Sequence, residues 1–249
     1  GRKAGTYSVL VASASGANAT SAFKYRVIKA TRVTGIKPSS SAYRKTVTAA
    51  ITGSGFFGDK ASADVYSVNL DDAAQTALSG WTAASDSAIN GAAVPAGVFA
   101  GTYNVIVANS GGANLTSSIK YVIAAPAPSI TGVTPSGAYI TSQATFTVRG
   151  AGFFAGTPSP GVLQLKIGAA AMSGYTVVSD TLITGIIVQA NTFAAGTYGV
   201  VVKTAGGQNA ASAGYLLVFS GAVPVESSVD ALPAATKSEV FKVSWHGTF

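Results

Sequence analysis

The sequence predicts an all-β protein of tandem antiparallel β-sandwiches, with a partial sandwich at each end. Two observations carry that prediction. The tripeptide Gly5-Thr6-Tyr7 returns as Gly101-Thr102-Tyr103 and again as Gly196-Thr197-Tyr198, which sets a period of about 95 residues in a chain of 249. Between these landmarks run short stretches of alternating polarity, separated by Gly, Asn and Pro turns and almost free of 3.6-residue periodicity. That pattern amounts to about seven short strands per repeat.

Each repeat opens on Gly-x-x-Pro: Gly35-Ile36-Lys37-Pro38 and Gly132-Val133-Thr134-Pro135. A strand follows, then Gly53-Ser54-Gly55-Phe56-Phe57 or Gly150-Ala151-Gly152-Phe153-Phe154. These glycines are expected to allow a bulge or tight bend while the aromatic ring packs inward. Mid-repeat, Ala84-Ser85-Asp86-Ser87-Ala88-Ile89 matches Val178-Ser179-Asp180-Thr181-Leu182-Ile183. Each repeat closes with a hairpin. After Gly-Thr-Tyr comes an apolar strand (Val9-Leu10-Val11, Val105-Ile106-Val107, Val200-Val201-Val202), then a turn ending in Asn18, Asn114 or Asn209, then a strand reaching Tyr25, Tyr121 or Tyr215.

Composition narrows the function classes. Hydrophobic residues make up 48% of the chain and charged residues only 10%, against roughly 25% charged in an ordinary soluble domain. Such a chain buries cores and is not disordered. The best apolar run, Tyr215 to Phe219, is far too short to span a bilayer. There is no Cys and one His, His246, so disulfides, thiolate metal sites and histidine clusters are excluded, and no cofactor is expected. No basic segment followed by an apolar core opens the sequence, so any signal peptide lies outside it. The net charge of +7 is concentrated: residues 1 to 45 hold nine basic and no acidic residues, while the other 204 hold seven basic and nine acidic. This is an electrostatic pole, but without interleaved aromatics or a groove-filling helix it does not favour nucleic acid.

The order Pro128, Ile130, Val133, Pro135, then Gly-x-Gly-Phe, then Ser-Asp-Thr-x-Ile, then Gly-Thr-Tyr with a Gly-Gly turn, resembles the IPT/TIG family of immunoglobulin-like domains. The resemblance is strongest over 125–219 and good over 30–124. It departs at Tyr66 to Thr82, where Leu70-Asp71-Asp72 replaces the shorter Lys166-Ile167-Gly168 turn. It implies tandem immunoglobulin-like sandwiches: 1–28 as the C-terminal hairpin of one unit, 29–124 and 125–219 as full units, and 220–249 as the N-terminal strands of a further unit. Domains of this family serve in surface proteins, receptors, some transcription factors and starch-acting enzymes, mostly as spacers or interaction modules, so the fold alone does not assign an activity.

The two ends are complementary halves. Residues 1–28 match 97–123, and Glu239 to Phe249 align with Ala144 to Phe154 at a constant offset of 95. A lone hairpin would expose an apolar face and unpaired edges. The halves are either cut edges of a longer array, or partners in head-to-tail strand complementation between copies, or they fold back on neighbouring domains. The candidate assembly contacts are Tyr7, Val9, Val11, Phe23 and Tyr25 at one end, and Val240, Phe241, Val243, Trp245 and Phe249 at the other.

No nucleophile, base and orienter stand together, so no catalytic residue is assigned and the chain is read as non-enzymatic. His246 reads as a turn or interface residue. Asp59, Asp64, Asp71 and Asp72 form the one acidic cluster, and it fits no Ca²⁺ loop spacing, so a solvated loop is preferred. Tyr7, Tyr103 and Tyr198 recur in register, as core or corner tyrosines do. Trp81, with Tyr175 only approximately aligned to it, is the candidate ligand contact. Asn18 and Asn114 lie in Asn-x-Thr glycosylation acceptors, and Asn209 does not. The expectation is a non-enzymatic extracellular or cell-surface structural protein, part of a filament, layer or stalk, whose partner is either another copy of itself in a homopolymer or the neighbouring domains of a longer chain. The alternative is an adhesive or carbohydrate-binding module of a larger secreted or virion protein, with a glycan as partner.

Overall fold

A computed structural model describes residues 3–18, 21–114, 117–210 and 215–219, and these form strands and turns. In the N-terminal segment, β1 (Gly5–Ser8) pairs antiparallel with β4 (Lys24–Val27), and β2 (Ala12–Ser13) with β3 (Gly16–Ala17). The first sandwich comprises β5 (Arg32–Lys37), β6 (Ser40–Ala42), β7 (Val47–Ser54), β8 (Val65–Leu70), β9 (Thr82–Ser85), β10 (Ala88–Val94), β11 (Gly101–Asn109), β12 (Gly112–Ala113) and β13 (Lys120–Ala124). Its front sheet has the order β5-β7-β10-β9, and its back sheet holds β12-β11-β13-β6 with β8 also on β11. The second comprises β14 (Ser129–Thr134), β15 (Gly137–Tyr139), β16 (Ala144–Ala151), β17 (Val162–Ile167), β18 (Ala170–Met172), β19 (Thr176–Ser179), β20 (Leu182–Val188), β21 (Gly196–Thr204), β22 (Gly207–Gln208) and β23 (Tyr215–Phe219). Its front sheet, β14-β16-β20-β19, repeats the first strand for strand.

The alternation read from sequence becomes two separate cores. Ile36, Ile51, Phe56, Leu70, Ile89 and Val105 are buried between the first pair of sheets, and Phe146, Phe153, Leu165, Ile167, Ile183 and Val200 between the second. Gly-x-x-Pro marks the switch of sheets. The Lys37–Pro38 and Thr134–Pro135 bonds, both cis, carry the chain from β5 to β6 and from β14 to β15, which lie in opposite sheets and pair in parallel with β13 and β23.

Gly-x-Gly-Phe is explained by close approach. A Cβ on Gly53 would run into the carbonyl oxygen of Arg32 and the ring of Phe56, and one on Gly150 into that of Ser129 and the ring of Phe153. The Phe ring fills the core because the backbone passes directly over it. The turn's amides are then satisfied by the mid-repeat aspartate. The Asp86 carboxylate accepts from Gly55 N at 3.1 Å and Phe57 N at 2.9 Å, and Asp180 from Phe154 N at 2.8 Å.

The closing hairpins are bolted by their asparagines. Asn114 accepts from Val107 N at 2.8 Å and donates to Val105 O at 2.8 Å. Asn209 does the same with Val202 N (2.6 Å) and Val200 O (3.0 Å), and Asn18 with Val11 N (2.5 Å) and Val9 O (3.1 Å). The Gly-Thr-Tyr tyrosines are corner residues in all three repeats: Tyr7, Tyr103 and Tyr198 each donate a hydroxyl to the carbonyl four residues earlier, of Lys3, Phe99 and Ala194.

Two sequence correspondences need correction. Tyr121 lies opposite Tyr103 and Tyr25 opposite Tyr7, but it is Leu216 that lies opposite Tyr198, so Tyr215 is one residue out of the series. A one-residue slip changes the face of a strand, and the shared residue type hid it. The middle strands of the two sandwiches, expected to diverge, are equivalent: Leu70 pairs with Val105 and Ile167 with Val200 at the same repeat position. Divergence is confined to the loop beyond, where Leu70 N donates to Thr76 O and Leu78 N to Val68 O.

Asn114→Ala and Asn209→Ala are each expected to cost about 2–4 kcal/mol, since both strand groups lose a buried partner. Denaturant unfolding measures this. Tyr121→Phe is the contrasting case, expected to be neutral or stabilising by about 1 kcal/mol, because the Tyr121 hydroxyl is buried without a hydrogen-bond partner.

Candidate functional site

The N-terminal hairpin presents in the open what its counterpart buries. Val9, Val11, Phe23 and Tyr25 are 44%, 68%, 83% and 62% exposed, while Val105, Val107 and Tyr121 are each 0% exposed. Tyr7 is half-buried through its corner bond. The complementary residues Val240, Phe241, Val243, Trp245, His246 and Phe249 lie outside the described residues.

Trp81 is placed by packing. It lies partly buried against the first core, two residues from the buried Ala83 on the same strand path, and therefore turns inward. Gly80 before it has φ +68° and faces the bulge glycine Gly91, where a Cβ would come within 2.8 Å of Gly80 O. Tyr175 follows Gly174 (φ +74°), faces Gly185 (φ +72°) and packs on the second core. The expectation that Trp81 lacks a close counterpart is thus corrected: an aromatic plug closes the same edge in both sandwiches. Asn114 is likewise committed, being 9% exposed with its amide nitrogen bonded to Val105 O, so an N-linked glycan there would have to break the hairpin bond. Asn18 makes the matching bonds on the exposed hairpin.

The acidic residues are taken up separately. Asp72 caps its own loop through Thr76 N and Oγ1, Asp71 bridges to the Asn104 amide and side chain, and Asp64 holds Lys60 and Ser110. No group of three His, Cys, Asp or Glu suited to a metal is found among the described residues. Burial pushes the Asp64 carboxyl up, but the bonds from Lys60 and from the Ser110 hydroxyl and amide, with the Lys60 charge, more than offset it and hold it below the ordinary carboxylate value. Burial, then Asp72 and Asp71, push the Tyr103 hydroxyl up, which keeps it a donor to Phe99.

Sequence reasoning passed over two features. One is the seat between sandwiches. Ala100 N donates to Gly156 O at 2.9 Å, and a Cβ on Gly156 would come within 3.1 Å of Ala100, Pro126 and Tyr43. The entry segment of the first sandwich is tied down in a similar way: Thr31 Oγ1 donates to Val107 O at 2.5 Å, and Asn109 Nδ2 donates to Lys29 O at 2.8 Å and Gly55 O at 2.7 Å. The other is a depression of about 280 Å³ on the front sheet, lined by Gly35, Ile36, Lys37, Ala50 and Thr52. Its signal in the sequence is a glycine on the strand, with the register shift at Val33–Gly35 keeping Lys37 on the same exposed face as Arg32 and Thr34.

Asp64→Asn is expected to destabilise the fold at neutral pH. Because the folded pKa is depressed, the stabilisation is present above the unfolded carboxylate value near 4 and is lost as pH falls through the lower folded one. Stability measured from pH 7 to 2 should therefore fall less steeply at the acid end in the variant. Trp81→Ala is expected to cost about 3–5 kcal/mol as a cavity mutation; unchanged thermal unfolding would remove its packing role.

Known proteins were compared with this arrangement. No curated protein matches the chain. Solved structures similar to it include SGBP-B from a complex xyloglucan utilization locus in Bacteroides uniformis (18% identity, TM-score 0.30, covering 68% of this chain and 47% of that one). The Escherichia coli adhesin FdeC is similar at 17% identity and TM-score 0.36, covering 77% and 64%. A three-Ig structure of titin domains is similar at 14% identity and TM-score 0.41, covering 77% and 66%. The chain spans less than two thirds of the length of each. The IPT/TIG domain family matches residues 128–219, the second sandwich from its entry strand to β23. The described residues thus fold as tandem immunoglobulin-like sandwiches, the second of which matches the IPT/TIG domain family over 128–219.

Proposed function

We propose that the chain is a non-enzymatic stretch of an extracellular, cell-surface protein, in which immunoglobulin-like units at 29–124 and 125–219 form a stiff spacer within an adhesive or carbohydrate-binding module. The observation that supports this reading best is the tied joint. The turn Gly152–Thr157 of one sandwich seats on Ala100, Pro126 and Tyr43, and a Cβ on Gly206 would run into the carbonyl of Pro126, so the connecting segment is gripped from both sides. Short, gripped connections suppress the interdomain motion that small interfaces otherwise permit. A spacer of this kind transmits position and load while its outer faces remain available for ligands.

Paired spin labels on the two sandwiches of the full chain test the reading. A narrow distance distribution is expected, broadened by Gly156→Val; a broad distribution in the unaltered chain would remove the spacer.

A second reading is favoured by the exposed face of the N-terminal hairpin: head-to-tail self-association, in which front strands of one copy cover Val9, Val11, Phe23 and Tyr25 of the next. Electron microscopy of the intact chain should then show filaments, and deletion of residues 1–28 should leave dispersed subunits. Normal filaments from the truncated chain would sink this reading.

A further inference from the structure

We propose that the outer face of β5 and β7 binds a polyuronate, a polysaccharide carrying spaced carboxylates. This rests on the carbohydrate-binding reading above and names the ligand class. The face is built from an edge strand, β5, whose outward residues Arg32, Thr34 and Lys37 are exposed, beside the exposed Ala50 and Thr52 of β7. Gly35 lies opposite Thr52, and its missing side chain leaves the hollow of about 280 Å³, which Lys37 lines and beyond which Arg32 stands on the same exposed strand. A Cβ there would come within 2.6 Å of Thr52 Oγ1. The result is a shallow trough with a hydroxyl-bearing wall and Lys37 in its lining, extended along β5 by the exposed Thr34 and Arg32.

Charge is segregated around it. Among the described residues the one ion pair is Lys60–Asp64, so neither Arg32 nor Lys37 is neutralised by a carboxylate. The five acidic residues of this sandwich point elsewhere. Asp64, Asp71 and Asp72 are held by Ser110, Asn104 and Thr76 around the back sheet and the β8–β9 loop, Asp86 caps the Gly55–Phe57 turn, and Asp59 lies in the turn after β7. The corresponding strand of the second sandwich, β14, carries no cation at all. The trough is thus a feature of one unit rather than of the fold.

The spacing selects the ligand. Five residues along β5 set Arg32 and Lys37 about 16 Å apart at about 3.3 Å per residue. Two cations so separated match a chain of sugars with carboxylates at intervals, and the hydroxyls of Thr34 and Thr52 between them match sugar hydroxyls. Duplex DNA carries a charge every ~1.7 Å and would draw on the whole basic pole.

The experiment is affinity electrophoresis of the full chain in gels containing polygalacturonate, neutral dextran, neutral xyloglucan or duplex DNA. Retardation by polygalacturonate, relieved by salt, is expected, with R32S/K37S weakening it about tenfold or more through loss of two charge-assisted contacts. K24S/R26S, which removes the same charge from the hairpin, should change it less than about twofold. Matching unfolding curves for both variants confirm that folding is intact. Equal weakening by both variants, or DNA binding with the same sensitivity to R32S/K37S, would overturn the trough in favour of diffuse attraction. Retardation by a neutral glycan alone overturns the polyuronate assignment and leaves carbohydrate binding standing, whereas no retardation in any gel overturns both.

Discussion

Every repeat of this protein depends on satisfying the backbone where its closing hairpin narrows. The strand carrying Val105 and Val107, or Val200 and Val202, lies at the centre of the back sheet with those valines fully in the core. Its amides and carbonyls near the tip have lost their ladder partners, and buried groups of that kind must be paired. One asparagine per repeat answers the need, reaching across the turn to one N–H and one C=O. The rest follows from that fixed strand pair. The corner tyrosine sets the entrance to it, the parallel strand after Gly-x-x-Pro adds to its edge, and Thr31 and Asn109 hang the connecting segment on its end.

The same local chemistry therefore persists where the surroundings differ. The N-terminal hairpin keeps the ladder, the asparagine bolt and the tyrosine corner of the complete sandwiches, with Gly5 opposite Val27 as Gly101 is opposite Ile123. Among the described residues no facing sheet covers it. Its hydrogen bonds are local and its apolar burial is not, which separates the two contributions that a whole sandwich combines.

Much of this was legible in the sequence because the repeat was. Period, strand alternation and the Gly-x-Gly-Phe turn each follow from residue types that tolerate few alternatives: no side chain can replace the hydrogen of Gly53 or Gly150. The position of Tyr215 was misread because identity of residue type outweighed register, and register depends on the partner strand. Trp81 was misread for the opposite reason. Its counterpart is a different aromatic, and only the paired glycines at 80 and 91, or 174 and 185, reveal the equivalence. The roles of Asn114 and Asn209 escaped notice because a side chain bonded to backbone seven and nine residues away leaves no periodic trace. The trough over Gly35 is a product of sheet pairing, which brings Thr52 beside a glycine seventeen positions earlier.

The seat at Gly156 has a consequence for how such a chain can be assembled from parts. Its counterpart in the first sandwich is Asp59, also in the left-handed region at φ +60° but bearing a side chain. A carboxylate in place of that glycine would have to enter the space within 3.1 Å of Tyr43, Ala100 and Pro126. The two sandwiches share a fold and differ at this seat, where the second carries the glycine that its contact with the first requires. The array is modular in architecture and directional in grammar, with the order of these two units written into backbone positions at their joint, Gly156 and Gly206.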